Sequence, residues 1–188
     1  NQKLHFFSFS AVPGNGLCPG AGECLEYCYS FKAWRFPAAY FRQLQNTLLI
    51  QAQSQLIIDA WQALPQDKTI RLYVDGDFDS LDTMKFWFRL VAARRDLTVY
   101  GYSKSWQLFL DYFKAGHEFP TNYTLNLSSG SIYERIPAMR KAMDTLPITR
   151  GDFAVVRPIT DIDKAPNRRT NAAKWAQWAA ACKAAAVV

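Results

Sequence analysis

Residues 18–28, CPGAGECLEYC, place three of the four cysteines of this chain within eleven residues, spaced C-x5-C-x3-C. Pro13, Gly14, Gly16, Pro19, Gly20 and Gly22 crowd the same stretch. So many helix and strand breakers dictate a loop. Glycine supplies the positive-φ conformations that let a short loop curl its side chains toward one centre, and proline stiffens the result. The stretch has the character of a metal or iron–sulfur loop, and whatever fold the chain adopts must carry it.

Three thiolates brought together repel one another or oxidise unless a soft cation or an iron–sulfur cluster holds them ionised. Two other readings stand beside this one. A disulfide with a spare thiol belongs to small secreted scaffolds, which normally use an even cysteine set. Zinc takes four protein ligands from closely spaced knuckles, and here no fourth ligand is evident. Three clustered cysteines suit a cluster with one iron left open. Cys182 shares one face of an Ala-rich helical stretch with Trp175 and Trp178 and reads as a buried apolar residue. His5 and His117, the only histidines, read as structural.

At 188 residues and 49% apolar content the chain can bury one substantial core. A single domain over 1–188 is expected, with the cysteine loop at 13–30 and a C-terminal helix at about 170–186. No run of about 18 uncharged apolar residues occurs, and no basic-then-apolar leader, so the expectation is a protein without membrane partners, in the cytoplasm. A net charge of +6 favours an anionic partner.

Strand and helix patterns alternate along the chain. Residues 4–12 read as a strand entering the cysteine loop, and 38–64 as one long helix with Phe41, Leu44, Leu48, Ile57, Trp61 and Leu64 near one side. A strand at 69–75 ends in the acidic turn DGDFDS, and Ser80 or Asp79 caps a helix over 81–95. A strand at 97–104 precedes a helix capped by Ser105 and stopped at Gly116. A strand at 123–130 is followed by a helix with a Ser131/Glu134 capping box and a kink at Pro137. A last strand at 153–158 leads through a polar loop to the final helix.

This order predicts an α/β fold: repeated βα units, with about five to six mostly parallel strands, covered by helices. That is too few strands to close an eight-stranded barrel, so an open, partial TIM-like barrel is expected. Such a fold gathers its chemistry at the carboxyl ends of the strands. Asp75, Asp77, Ser103, Lys104, Ser128, Ser129 and Arg157 all follow apolar strand cores and should meet there, beside the cysteine loop. Asp79, Ser80, Ser105 and Ser131 read as caps. Tyr100, Tyr102 and Trp106 read as core and pocket wall, and the NRR run at 167–169 as a solvated loop.

The first strand feeding a three-cysteine loop, with Tyr27 and Tyr29 flanking Cys28, resembles the cluster loop of radical S-adenosylmethionine enzymes, whose usual spacing is C-x3-C-x2-C. In more detail CPGAGECLEYCYS, RLYVDGDFDS, YGYSKSW and LNLSSGS, in that order, resemble the phage and plasmid family called gene product eighty-eight. The resemblance spans about residues 4–131. It implies a 4Fe-4S cluster on Cys18, Cys24 and Cys28, with S-adenosylmethionine at the open iron. The DGD turn, Asp75 and Asp77, would face the methionine amine, where those enzymes carry a GGE turn. Tyr102 would wall the cofactor site, while Ser103, Lys104, Ser128, Ser129 and Arg157 would hold carboxylate, ribose or substrate. A flavodoxin- or ferredoxin-type reductant and a bacterial host cytoplasm are implied with it. The catalytic residues and substrate are not implied.

Two other functions remain open on the sequence. A cluster-bearing regulatory protein touching nucleic acid through lysine and arginine would bind in a salt-sensitive way. A zinc-stabilised structural domain would carry no redox chemistry.

Overall fold

The structure is a computed structural model and describes residues 6–14, 16–26 and 28–155. Five strands form its sheet: β1 (Phe6–Ser8), β2 (Thr69–Leu72), β3 (Thr98–Ser103), β4 (Tyr123–Leu127) and β5 (Thr149–Arg150). They lie side by side in the order β1-β2-β3-β4-β5, every pair parallel. Each crossover therefore steps one strand in the same direction, and right-handed crossovers of that kind put their helices on one face.

The helices are α1 (Ser30–Ala33), α2 (Pro37–Gln51), α3 (Gln55–Gln62), α4 (Leu81–Ala93), α5 (Trp106–Lys114) and α6 (Pro137–Asp144). Neighbours in this layer touch: α2 meets α3 and α4, α4 meets α5, and α5 meets α6. Alternation along the strands fits a sheet with one covered face. Ile70, Leu72, Val99, Gly101, Tyr123, Leu125 and Leu127 are buried, whereas the intervening Arg71, Tyr100, Tyr102 and Thr124 are half-buried. The core is aromatic. Phe88, Phe78, Phe109 and Tyr123 are almost fully enclosed and meet edge-to-face or tilted, and the equally buried Trp87 meets Trp61 and Tyr73 edge-to-face. Each such side chain contributes on the order of 1.5–3 kcal/mol by leaving water.

Several local expectations hold. Ser80 caps α4, reciprocating with Thr83 rather than with a glutamate. Gly116 ends α5 with φ +82°, a left-handed conformation that suits glycine. Others are corrected. The single helix expected over 38–64 is two, because Gln53 takes a positive φ of 48° and the Ser54 hydroxyl accepts the Leu56 N–H to start α3. The helix expected from Ser131 begins only at Pro137, whose missing N–H and fixed φ suit a first helical position. Pro137 thus starts the helix instead of kinking it. Glu134 accepts the N–H of Gly130 at 2.6 Å, so the capping-box pair closes a turn.

Ser105 does not cap α5 with its side chain; its hydroxyl donates to the Phe78 carbonyl at 2.9 Å. The strands are shorter than their sequence patterns, and β5 lies just ahead of the stretch expected to form the last strand. Within that stretch Ala154 bridges Ser128 in parallel. Arg157, Cys182, His5, the loop at 160–171 and the expected C-terminal helix lie outside the described residues. Among the described residues no helix is long and apolar enough to cross a membrane.

Helix α2 buries the face that its sequence pattern gives to water. Gln43, Thr47 and Ile50 are buried, while Phe41 and Leu48 are 64% and 58% exposed. The reason lies in the segment after β1. Its backbone pairs first with β2, through Phe9 N–H to Arg71 C=O and Val74 N–H to Phe9 C=O, and then runs on without a neighbouring strand. Polar side chains of α2 satisfy it: Thr47 Oγ1 accepts the Val12 N–H at 2.9 Å, and the Asn46 amide donates to the Ser10 carbonyl at 2.8 Å.

Candidate functional site

The cysteine loop closes over the carboxyl edge of the sheet. Cys18 N–H and Leu17 N–H both reach the Gly14 carbonyl, and Ala21 N–H reaches that of Cys18, so the loop folds on itself. Its middle is then stitched to the segment after β4: Gly22 N–H donates to the Gly130 carbonyl at 2.9 Å, and Ile132 N–H to the Gly20 carbonyl at 3.0 Å. Gly20 lies so close to the end of β3 that a Cβ there would fall inside the Lys104 carbonyl. Only glycine permits that approach.

On the other side the loop meets the acidic turn. Ala11 N–H donates to the Asp75 carbonyl at 3.0 Å, and Gly76, with φ +79°, packs against Ala11. Beyond the loop, Tyr29 donates its hydroxyl to the Val74 carbonyl and Ser30 donates to the Asp75 carboxylate. Loop, turn and strand ends enclose a cavity of about 420 Å³.

Cys18, Cys24 and Cys28 all line this cavity. They are free thiols, each half-buried. Burial pushes the Cys18 thiol up to about 12, with the charge of Asp77 adding to the effect. Burial also raises Cys24, while the Lys104 ammonium opposes the rise. Cys18 and Cys24 are therefore held in their protonated form, and a cation entering there displaces protons. Among the described residues no three His, Cys, Asp or Glu side chains converge tightly enough to grip a single metal ion. What the thiols share is the wall of one cavity.

That donor set fits an iron–sulfur cluster. It offers three soft sulfurs on a backbone pinned at Gly20 and Gly22, around a space of small-molecule size. A cluster is larger than an ion and takes ligands spread around it.

The other expected site residues divide into three groups. Asp75, Asp77, Tyr102, Lys104 and Ser128 line the cavity with the cysteines. Ser103 and Ser129 do not form its wall; both are buried, the first bonded to Asp77 and the second through its N–H to the Ala154 carbonyl. Arg157 lies outside the described residues.

Asp77 is buried and its carboxylate is fully engaged. One oxygen accepts from Ser103 Oγ at 2.8 Å and from the Phe78 N–H at 2.8 Å; the other accepts the N–H groups of Lys104 at 2.7 Å and Ser105 at 3.2 Å. Asp77 is thus the cap that α5 lacks at Ser105. Burial raises its carboxyl above the usual range, against the pull of these hydrogen bonds. Asp75 holds Ser30 and, through its second oxygen, the Gln43 amide at 3.1 Å, while Gln43 also accepts the Trp34 indole at 2.8 Å. The Lys104 ammonium donates to Ser128 Oγ at 2.8 Å.

Sequence reading missed Gln43, Trp34, Ser30 and Arg71. Gln43 and Trp34 look like surface residues in one dimension, and Ser30 looks like a turn residue. For Arg71 a signal existed: an arginine inside an apolar strand, four residues before the acidic turn.

A sequentially ordered parallel βα sheet, with a three-cysteine loop pinned over its carboxyl edge and a small-molecule-sized cavity beneath, defines the class as a thiol-bearing α/β pocket protein. The chain belongs to the Gene product 88 family, whose model matches residues 2–185. No curated protein and no solved structure matches it.

Proposed function

We propose that the chain is a 4Fe-4S protein of radical S-adenosylmethionine type, with Cys18, Cys24 and Cys28 as the protein ligands and the five-stranded sheet as part of an open barrel. The observation that carries the reading is the meeting of all three cysteines with Asp75, Asp77, Lys104 and Ser128 on one cavity wall. Strands added one step at a time in a single direction also suit a sheet that curls toward a barrel.

When bound and reduced, the cluster would supply an electron for cleaving the carbon–sulfur bond of S-adenosylmethionine. The chain's own contribution is placement. The glycine contacts fix the loop; Asp77 holds the end of β3 against the turn; Lys104, tethered to Ser128, presents a positive charge to the cavity. Both carboxylates are spent largely on the protein itself, so the amine of the cofactor would be met mainly by turn backbone rather than by a free Asp75 or Asp77. A small redox protein such as a flavodoxin or ferredoxin would deliver the electron.

The test is anaerobic purification with iron, sulfide and zinc analysis and an EPR spectrum of the reduced protein, before and after adding S-adenosylmethionine. About four irons, lost in Cys18→Ser, Cys24→Ser and Cys28→Ser but kept in Cys182→Ser, with a spectrum altered by the cofactor, is the expected result. A spectrum indifferent to the cofactor moves the protein to the cluster-bearing regulator, for which salt-sensitive nucleic-acid binding is then measured. Zinc alone overturns the iron–sulfur reading.

A further inference from the structure

Arg71 projects from β2 between the buried Ile70 and Leu72, from the sheet face opposite them, and reaches the same cavity. Its guanidinium lies over the ring of Tyr102, 4.8 Å from the centroid. Stacking holds the plane of the fork but leaves its N–H groups to find acceptors. The buried Nε has none. The nearby acids are already engaged: Asp75 is taken by Ser30 and Gln43, and Asp77 by Ser103 and three backbone N–H groups.

A desolvated, oriented donor without an acceptor is costly to a folded chain and is relieved when an acceptor arrives. Lys104 brings a second positive charge to the same wall and spends one donor on Ser128. A planar fork beside a point charge matches an oxyanion, which the fork grips through two oxygens. We propose that Arg71, backed by Lys104, binds the carboxylate or phosphate group of a small ligand in this cavity. Assigning that ligand as the substrate rests on the function proposed above; the anion site itself requires the arginine and not the thiols.

The test follows the Arg71 Nε–Hε resonance in arginine-labelled full-length protein titrated with inorganic phosphate and with acetate, against chloride at matched ionic strength. It is run on the native chain and on the Cys18→Ser, Cys24→Ser, Cys28→Ser triple variant. A saturable shift with phosphate or with acetate supports the site and names the group. Arg71→Lys should then weaken binding by about tenfold, since an ammonium keeps the charge and loses the fork. A shift that chloride reproduces, or none with either anion, overturns the inference. An anion response that survives in a triple variant unable to hold iron upholds the anion site whatever becomes of the cluster. Normal iron loading with no anion response overturns the anion site alone.

Discussion

Asp77 at the end of the acidic turn accepts the backbone N–H of Lys104 at 2.7 Å. Through this bond a residue following β2 fixes the start of α5, and through the Lys104 carbonyl that start also meets Gly20 of the cysteine loop and the Ser131 hydroxyl. The turn, the strand end and the loop are thus joined through Lys104, so a change at Asp77 bears on the loop that carries the thiols.

Replacing Asp77 by Asn tests this directly. The amide can keep an oxygen toward Ser103 and Phe78, but its NH2 group would then face the N–H groups of Lys104 and Ser105. The Ser105 N–H keeps a bond to Ser103 Oγ at 3.0 Å, but leaving the Lys104 N–H unsatisfied should cost about 1–3 kcal/mol. Urea denaturation measures it, and an unchanged midpoint would count against Asp77 as the cap. The same variant removes a negative charge beside Cys18 and should make that thiol more acidic.

Gly20→Ala places a methyl against the Lys104 carbonyl, a backbone atom that no rotamer change can move. The loop must lift, at a cost of about 1–3 kcal/mol. Alkylation of the metal-free protein should accelerate at Cys18 and Cys24 as burial is lost. Alkylation rates equal to wild type would show that the loop is not seated by this contact.

The raised Cys18 thiol predicts a pH dependence. Cys18 titrates near 9.0 when unfolded and at about 12 in the fold, so between those values the unfolded chain has released a proton that the folded chain retains. The stability contribution is complete below pH 9 and is lost as the pH rises toward 12. Metal-free protein should therefore lose stability across that window, and Cys18→Ser should flatten the loss. Loading with a thiophilic cation at neutral pH should release protons, measurable in weakly buffered solution.

Gln43→Glu sets a second carboxylate against Asp75, where an amide now donates at 3.1 Å. The two negative charges repel when both are ionised, so the variant should lose most stability near pH 7 and recover part of it near pH 4 as one carboxyl takes up a proton. Gln43→Leu, which has no charge to titrate, should be destabilised by a similar amount at both values. A pH-independent loss in Gln43→Glu would exclude the direct contact.

Local patterns were legible wherever local physics decides. The Ser80 cap, the Gly116 stop and the strands at β2 and β3 follow from hydrogen bonds or side-chain preferences within a few residues, and each is found. The break at Gln53 and the late start at Pro137 were not legible, because helical spacing continues across both. The face of α2 was read the wrong way round. Its apolar residues mark the inward side only if the neighbour is apolar, and the neighbour is the backbone of Ser10 and Val12, which no strand pairs and which calls for Thr47 and Asn46. The site divides along the same line. The cysteines, Asp75, Asp77, Tyr102, Lys104 and Ser128 share one cavity wall, whereas Ser103 lies outside it, because one step along a strand turns a side chain to the opposite face.

The sequence by itself determined the alternating βα order, the loop that must hold three cysteines in eleven residues, and the family to which those motifs belong. These depend on spacing and on backbone preference, which a chain carries with it before it folds. Tertiary structure alone decided that Asp75 and Asp77 turn to their own protein, that Gly20 is seated on the Lys104 carbonyl, and that Arg71 reaches the cavity with a buried donor unmatched. Each of these relations joins residues far apart in the chain, and hydrogen-bond demand is settled only when the partners are brought together and water is removed.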